Sequence, residues 1–168
     1  IVENVARNKL ILSTAFKHCS AGERVLILCN TIQHSIELHQ AWESRLSTPS
    51  WRADGKTKSF DVDLALRLFS QAKKGALLIC TPFMNEGVNL PEIDVLILAG
   101  GGASETASIQ RVGRALRRRP DKDTVLIYDF WDGRRSASGK EREKDYLADH
   151  ADARLKTYQE NKYEVIKS

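Results

Sequence analysis

Short runs of consecutive apolar residues constrain the fold of this chain more than any other feature. They lie at residues 25–29, 77–80, 95–99 and 125–128. Each run is apolar at successive rather than alternate positions, which is typical of strands buried on both faces of a parallel sheet. Helical periodicity occupies residues 32–46, 62–73 and 107–118 between them. The alternation predicts an α/β fold, a parallel sheet with helices on both faces, and ligand loops at the carboxyl ends of the strands.

Length and composition indicate one compact unit of this kind. The chain has 168 residues, of which 42% are hydrophobic and 29% charged, as expected for a globular domain with a single core. We predict a lobe over residues 1–132, followed by a linker and a C-terminal helix over residues 133–168 that packs on the lobe. The helix has an apolar stripe at Leu147, Ala151, Leu155 and Tyr158.

The cysteines and histidines exclude several site classes. Cys19, Cys29 and Cys80 are odd in number and far apart, which indicates core residues in a reducing compartment rather than a disulfide framework. The histidines lack the spacing of zinc ligands. The sequence has neither a signal peptide nor a long apolar run, so we expect a soluble cytoplasmic protein without a membrane partner. Its start at Ile1 suggests a piece of a longer protein.

The densest group of positive charge lies at residues 110–118. On a helix, Arg111, Arg114 and Arg117 fall within an arc of about 120°, opposite an apolar face. Like charges held this close favour contact with phosphate groups, either of a nucleotide or of a nucleic acid. The alternative is a solvated basic helix edge. The net charge of +4 is compatible with both interpretations.

A second segment, at residues 77–91, favours phosphate binding over a solvated basic edge. The apolar run 77–80 ends at Thr81, and a polar loop with Glu86, Gly87 and Asn89 follows before Pro91. Together with the arginine segment, it resembles motifs V and VI of superfamily 2 helicases and translocases. Residues 24–31 resemble motif IV, and residues 54–57 (Asp-Gly-Lys-Thr) resemble the loop before the helix that leads to motif V. All four segments occur in the order found in the second RecA-like lobe of these enzymes.

This resemblance implies a share in an ATP site. It assigns Arg114 and Arg117 to the γ-phosphate as arginine fingers, and Gln110 to orienting the nucleotide or the attacking water. Gly87 and Asn89 would lie near the nucleotide, and Arg111 would link it to motif V or to the nucleic acid. Motif V usually carries an aspartate where this chain has Asn89, whose amide can accept a hydrogen bond but brings no charge.

The resemblance also implies contacts with a single strand. The residues expected to hold its phosphates, independently of base sequence, are Asn30, Thr31, Lys56, Thr57 and Thr81. Asn30 and Thr31 are equally suited to cap a helix that starts at Ile32, and the two roles are compatible.

ATP and Mg²⁺ are the implied cofactors, bound mainly by a first lobe that this sequence does not contain. Gly55-Lys56-Thr57 is similar to the end of a P-loop, but Ser50 replaces the required glycine and no apolar strand precedes it. The sequence also lacks an acidic pair suited to Mg²⁺. We therefore expect this chain alone not to hydrolyse ATP.

The expected polymer is DNA, single-stranded or duplex, with RNA possible. Gln110 stands where DEAD-box RNA helicases have histidine, and the loop around Asn89 looks more like those of DNA repair, restriction-type and phage-encoded translocases. The main hypothesis is the second motor lobe of an ATP-dependent DNA helicase. The alternative is a non-catalytic RecA-like module that binds nucleic acid or protein. A small nucleotide-binding protein is disfavoured because no P-loop is present.

Overall fold

The computed structural model describes residues 4–44, 47–82, 92–100, 124–130, 146–160 and 163–166. The described strands are β1 (Arg24–Leu28), β2 (Ser50–Ala53), β3 (Ala76–Cys80), β4 (Val95–Leu98) and β5 (Leu126–Asp129). The described helices are α1 (Val5–Ser20), α2 (Ile32–Glu43), α3 (Ser59–Gln71) and α4 (Tyr146–Glu160). The predicted helix at 107–118 lies outside the described residues.

The strands form one parallel sheet in the order β2-β3-β1-β4-β5. The three middle strands, β3, β1 and β4, are buried along almost their whole length, as their continuous apolar sequences require. Strand pairing brings Ala53, Cys80 and Leu28 side by side at the carboxyl ends of β2, β3 and β1. The parallel α/β fold predicted from the sequence is confirmed.

Helices cover both faces of the sheet. On one face, α1 and α2 bury Ile11, Ala15, Leu38 and Trp42 against β1, β3 and β4. On the other face, α3 buries Val62, Leu66 and Phe69, and Tyr158 of α4 packs beside them. Strands β1, β3, β4 and β5 contribute alternate side chains to the two cores, whereas β2 contributes to one.

Three helix boundaries and one strand differ from the prediction. The structure ends α2 at Glu43 and places α3 at Ser59–Gln71, whereas the periodicity predicted 32–46 and 62–73. Strand β2 was not predicted at all. Its sequence, Ser-Trp-Arg-Ala, is only partly buried, because an edge strand pairs on one side only and tolerates polar residues.

The cysteines are core residues, as predicted. All three are buried and free. Cys29 follows β1 and Cys80 ends the neighbouring strand β3, and their side chains belong to opposite core layers. Burial raises the pKa of Cys80 to about 12, and burial followed by the charge of Glu23 raises the pKa of Cys19 to about 12. Burial also raises the pKa of Cys29. These thiols stay protonated and unreactive near neutral pH.

The C-terminal helix is fastened to the sheet by a residue that its apolar stripe did not identify. Arg154 is 1% exposed and donates from Nε and Nη2 to both carboxylate oxygens of Asp129, at 2.8 and 3.1 Å. Tyr158 donates its hydroxyl to the same carboxylate at 2.8 Å. A paired fork of this kind is a strong, direction-specific contact. The domain boundaries at 132 and 133 stay a prediction.

Candidate nucleic-acid interface

All the residues predicted to contact a nucleic-acid strand lie at the carboxyl ends of β2, β3 and β1. Asn30 and Thr31 follow β1, Lys56 and Thr57 follow β2, and Thr81 follows β3. Backbone bonds continue the sheet past the strand ends, because Cys29 N donates to Cys80 O at 2.8 Å and Thr81 N donates to Ala53 O at 3.4 Å. Neighbouring parallel strands lie about 4.8 Å apart. The structure therefore brings the residues predicted from three separate segments onto one edge.

Residues 54–57 form a closed turn that presents Lys56 to solvent. Thr57 N donates to Asp54 O at 2.9 Å, and Asp54 N donates to Thr57 Oγ1 at 2.9 Å. Lys56 N donates to Asp54 Oδ1 at 2.8 Å. Such local bonds are typical of turns built on aspartate and threonine. They fix the backbone of the turn while the lysine side chain stays exposed.

The carboxylate in this turn is turned inward and neutralised. Asp54 is 2% exposed, and its carboxylate is paired with the guanidinium of Arg52 on β2. An anion left at the surface here would repel phosphate, whereas a buried and paired one leaves Lys56 and Lys58 as the exposed charges of the turn. Arg52 and Asp54 were not among the predicted site residues. An aspartate three positions before a threonine was the available signal for the turn.

Thr31 caps α2 through its side chain, as the alternative interpretation proposed. Its Oγ1 accepts from His34 N at 3.2 Å, and its backbone is extended. The hydroxyl proton can still be donated to a phosphate oxygen, because capping uses only the acceptor side of the group. Asn30 is exposed beside it, while Thr81 is 6% exposed at the base of the edge.

His34, in the first turn of α2, forms a polar contact with Asn8 of α1. It is buried, and its Nε2 lies 2.9 Å from Asn8 Oδ1. Burial lowers the pKa of His34, the charge of Arg7 lowers it further, and Glu37 opposes the shift. The imidazole therefore stays neutral in the folded protein at neutral pH.

We expect the stability of the domain to fall in mild acid because of His34. The unfolded state binds a proton near the ordinary pKa of 6.5, whereas the folded state resists it. The free energy of unfolding is therefore highest above that value and falls as the pH drops below it. Urea unfolding between pH 8 and pH 5 measures the slope. His34→Gln should reduce it and leave the part due to His39, whose pKa is also lowered by burial, and an identical slope in the variant would contradict the assignment.

The predicted nucleotide-site residues lie outside the described residues. They are Gly87, Asn89, Gln110, Arg111, Arg114 and Arg117. Within the described ranges, no group of three or more His, Cys, Asp or Glu side chains could hold a metal ion. No helix in the same ranges is long and apolar enough to cross a membrane.

Comparison with known proteins defines the class. The family model of the helicase conserved C-terminal domain matches residues 6–119, which is more than half of the chain. The chain therefore belongs to the helicase conserved C-terminal domain family. Its fold is shared with solved helicase C-terminal domains, such as that of the DEAD-box protein Dbp5, which matches with a TM-score of 0.57 at 18% identity over 74% of this chain.

Individual relatives are longer proteins. The putative mitochondrial ATP-dependent helicase irc3 of Schizosaccharomyces pombe is 29% identical over 122 residues, covering 73% of this chain and 20% of the relative. The ATP-dependent DNA helicase uvsW of Enterobacteria phage T4 is 21% identical over 170 residues, covering 95% of this chain and 33% of the relative. The chain thus spans a third or less of these two proteins.

Solved structures agree on the fold. The crystal structure of T4 UvsW matches with a TM-score of 0.73 at 20% identity, covering 94% of this chain and 33% of that one. Domain 2 of the DEAD-box helicase Mss116p, solved bound to an RNA duplex, matches with a TM-score of 0.57 at 17% identity, covering 72% of this chain and 48% of that one.

Proposed function

We propose that this chain is the second motor lobe of an ATP-dependent superfamily 2 DNA helicase or translocase. In this role it grips the backbone of one strand and completes an ATP site on a first lobe. The observation that carries the proposal is the convergence of Asn30, Thr31, Lys56, Thr57 and Thr81 on one sheet edge, within a chain of the helicase C-terminal family.

The chemistry of the edge suits phosphates rather than bases. Hydroxyl and amide groups donate hydrogen bonds to phosphate oxygens, and the exposed lysine supplies charge. The pairing of Asp54 with Arg52 neutralises the carboxylate of the turn that carries Lys56. Recognition of this kind is sequence-independent and depends on salt.

ATP and Mg²⁺ are proposed to bind mainly to the first lobe. Hydrolysis there supplies the free energy for opening and closing of the two lobes. This chain would contribute Arg114 and Arg117 to the γ-phosphate, Gln110 to the nucleotide or water, and Gly87, Asn89 and Arg111 around them. Arginine is suited to this contact because its planar fork binds phosphate oxygens in pairs.

DNA is the proposed polymer, with RNA as the other possibility. The name of the T4 relative specifies a DNA helicase, and the motif around Asn89 agrees with that class. Mss116p, which was solved with an RNA duplex, shares the fold only. The sequence predicts the cytoplasm as the compartment, whereas the fission yeast relative is described as mitochondrial.

We expect weak, salt-sensitive binding of this chain to unrelated single-stranded oligonucleotides. Lys56→Ala should lower the slope of log affinity against log salt by about 0.7, the value for one phosphate contact on a single strand. Fluorescence anisotropy on several oligonucleotides measures both quantities.

Lys74→Ala is the matched control. Lys74 is equally exposed but lies at the opposite, amino edge of the sheet, between α3 and β3. It should leave affinity and slope unchanged. Equal losses from the two variants would indicate a diffuse basic surface, and tight binding to one oligonucleotide alone would reject backbone recognition.

A further inference from the structure

A buried arginine on α1 reaches the sheet edge beside the proposed strand-binding residues. Arg7 is 5% exposed. Its Nη2 donates to Ala99 O at 3.2 Å and also to Gly100 O. Its guanidinium carbon lies 5.6 Å from the centre of the Phe130 ring. One side chain thus contacts the residues that follow both β4 and β5.

These contacts fix backbone direction. Both bonds come from the same nitrogen, Nη2, which is held in the rigid plane of the guanidinium group, so bonds to consecutive carbonyls constrain both peptide units. Burying such a charge is costly unless it is well bonded. The aromatic face of Phe130 adds an attraction that a desolvated cation strengthens.

The helix that carries Arg7 is itself secured. Asn8, the next residue, contacts His34 at 2.9 Å and joins α1 to the start of α2. Asn4 caps α1 by accepting from Arg7 N at 3.0 Å. The first turn of α1, which carries Arg7, is therefore held in place by hydrogen bonds on both sides of Arg7.

The contacts of Arg7 lie just before the sequence that carries the proposed ATP-site arginines. Gly100 is the last described residue after β4, and the next described strand is β5. Gln110, Arg111, Arg114 and Arg117 all belong to the intervening sequence. Arg7 thus bonds to the last two described residues before this intervening sequence.

We propose that Arg7 is a positioning residue for ATP hydrolysis, which it serves by fixing the departure of the segment that carries these arginines. The inference rests on the proposed function of that segment. Misplacement of a reacting group by about 1 Å can cost about 10²-fold in rate. Arg7 has no assigned role in the motifs that the sequence revealed.

The test uses the full-length protein with both lobes. Arg7→Lys keeps the charge but loses the rigid planar group that places Nη2 between the two carbonyls, and we expect kcat for DNA-stimulated ATP hydrolysis to fall by about 10²-fold. Single-strand affinity without nucleotide should stay within about twofold, because the strand-contacting residues lie on other loops. A general loss of fold would lower both kcat and single-strand affinity, so a fall in kcat alone distinguishes a positioning role.

Arg154→Lys is the matched control. It loosens the contacts of another buried arginine, whose fork binds Asp129 at the other face of the sheet. It should lower Tm and leave kcat near that of the unchanged protein below the unfolding transition. If Arg7→Lys does not fold, Phe130→Leu removes the aromatic contact while keeping Arg7, and its kcat should also fall.

Arg114→Ala, measured in parallel, separates the possible failures. A low kcat in Arg114→Ala with normal kcat in Arg7→Lys, or in Phe130→Leu where it replaces that variant, would overturn the positioning role and leave the proposed function standing. Normal kcat in Arg114→Ala would overturn both. Equal loss of kcat in Arg7→Lys and Arg154→Lys would reduce Arg7 to a structural residue.

Discussion

Replacement of Arg114 or Arg117 by alanine in the full-length protein is expected to lower kcat for ATP hydrolysis by about 10³-fold or more. The reason is electrostatic. Charge spreads over the γ-phosphate oxygens in the transition state, and an inserted guanidinium stabilises it where water is excluded. If the arginines reach the phosphate only when the lobes close, single-strand affinity without nucleotide should change little.

Arg119→Ala is the matched control for this result. Arg119 belongs to the same basic run but lies outside the three-residue spacing of Arg111, Arg114 and Arg117. Steady-state turnover and DNA titration should separate it from the other two. Unchanged turnover in Arg114→Ala and Arg117→Ala, with DNA binding weakened by similar small steps in all three variants, would indicate a general basic surface.

The core of the fold follows from the sequence because it depends on local pattern. The runs at 25–29, 77–80 and 95–99 correspond within a residue to β1, β3 and β4. Consecutive apolar residues can be satisfied only where both faces of a strand are covered. The edge strand β2 has no such requirement, and its sequence therefore gave no signal.

The candidate interface also contains residues that the sequence predicts and residues that it does not. Asn30, Thr31, Lys56, Thr57 and Thr81 lie in short motifs next to predicted strand ends, so topology alone places them on one edge. The buried arginines that bond to the ends of β4 and β5 have partners far away in the sequence, so local motifs do not reveal them. Arg7 and Ala99 are 92 positions apart, and Arg154 and Asp129 are 25 apart.

Buried arginines are especially hard to predict from one sequence. Arginine is rarely fully buried, so periodicity assigns it to a solvent face. The stripe of α4 was predicted from Leu147, Ala151, Leu155 and Tyr158, yet Arg154 is the residue of that helix bonded to both oxygens of Asp129. Only the three-dimensional partner explains why the charge is tolerated.

The chain alone, in contrast, should not turn over ATP. Phosphoryl transfer requires a phosphate-binding loop, a bound magnesium ion and positive charge arranged around the same phosphates. The sequence has Ser50 where a P-loop needs glycine, and it lacks an acidic pair suited to Mg²⁺. In the proposed function, the arginines would stabilise a transition state that forms only on nucleotide held by another lobe.

Steady-state ATPase assays on residues 1–168 and on the two-lobe protein therefore test the central claim most directly. Both are assayed with Mg²⁺, with and without single-stranded DNA. The two-lobe protein should hydrolyse ATP, and faster with DNA, while the chain alone stays at background under both conditions. Robust magnesium-dependent turnover by the chain alone would contradict its assignment as the second lobe of a shared ATP site.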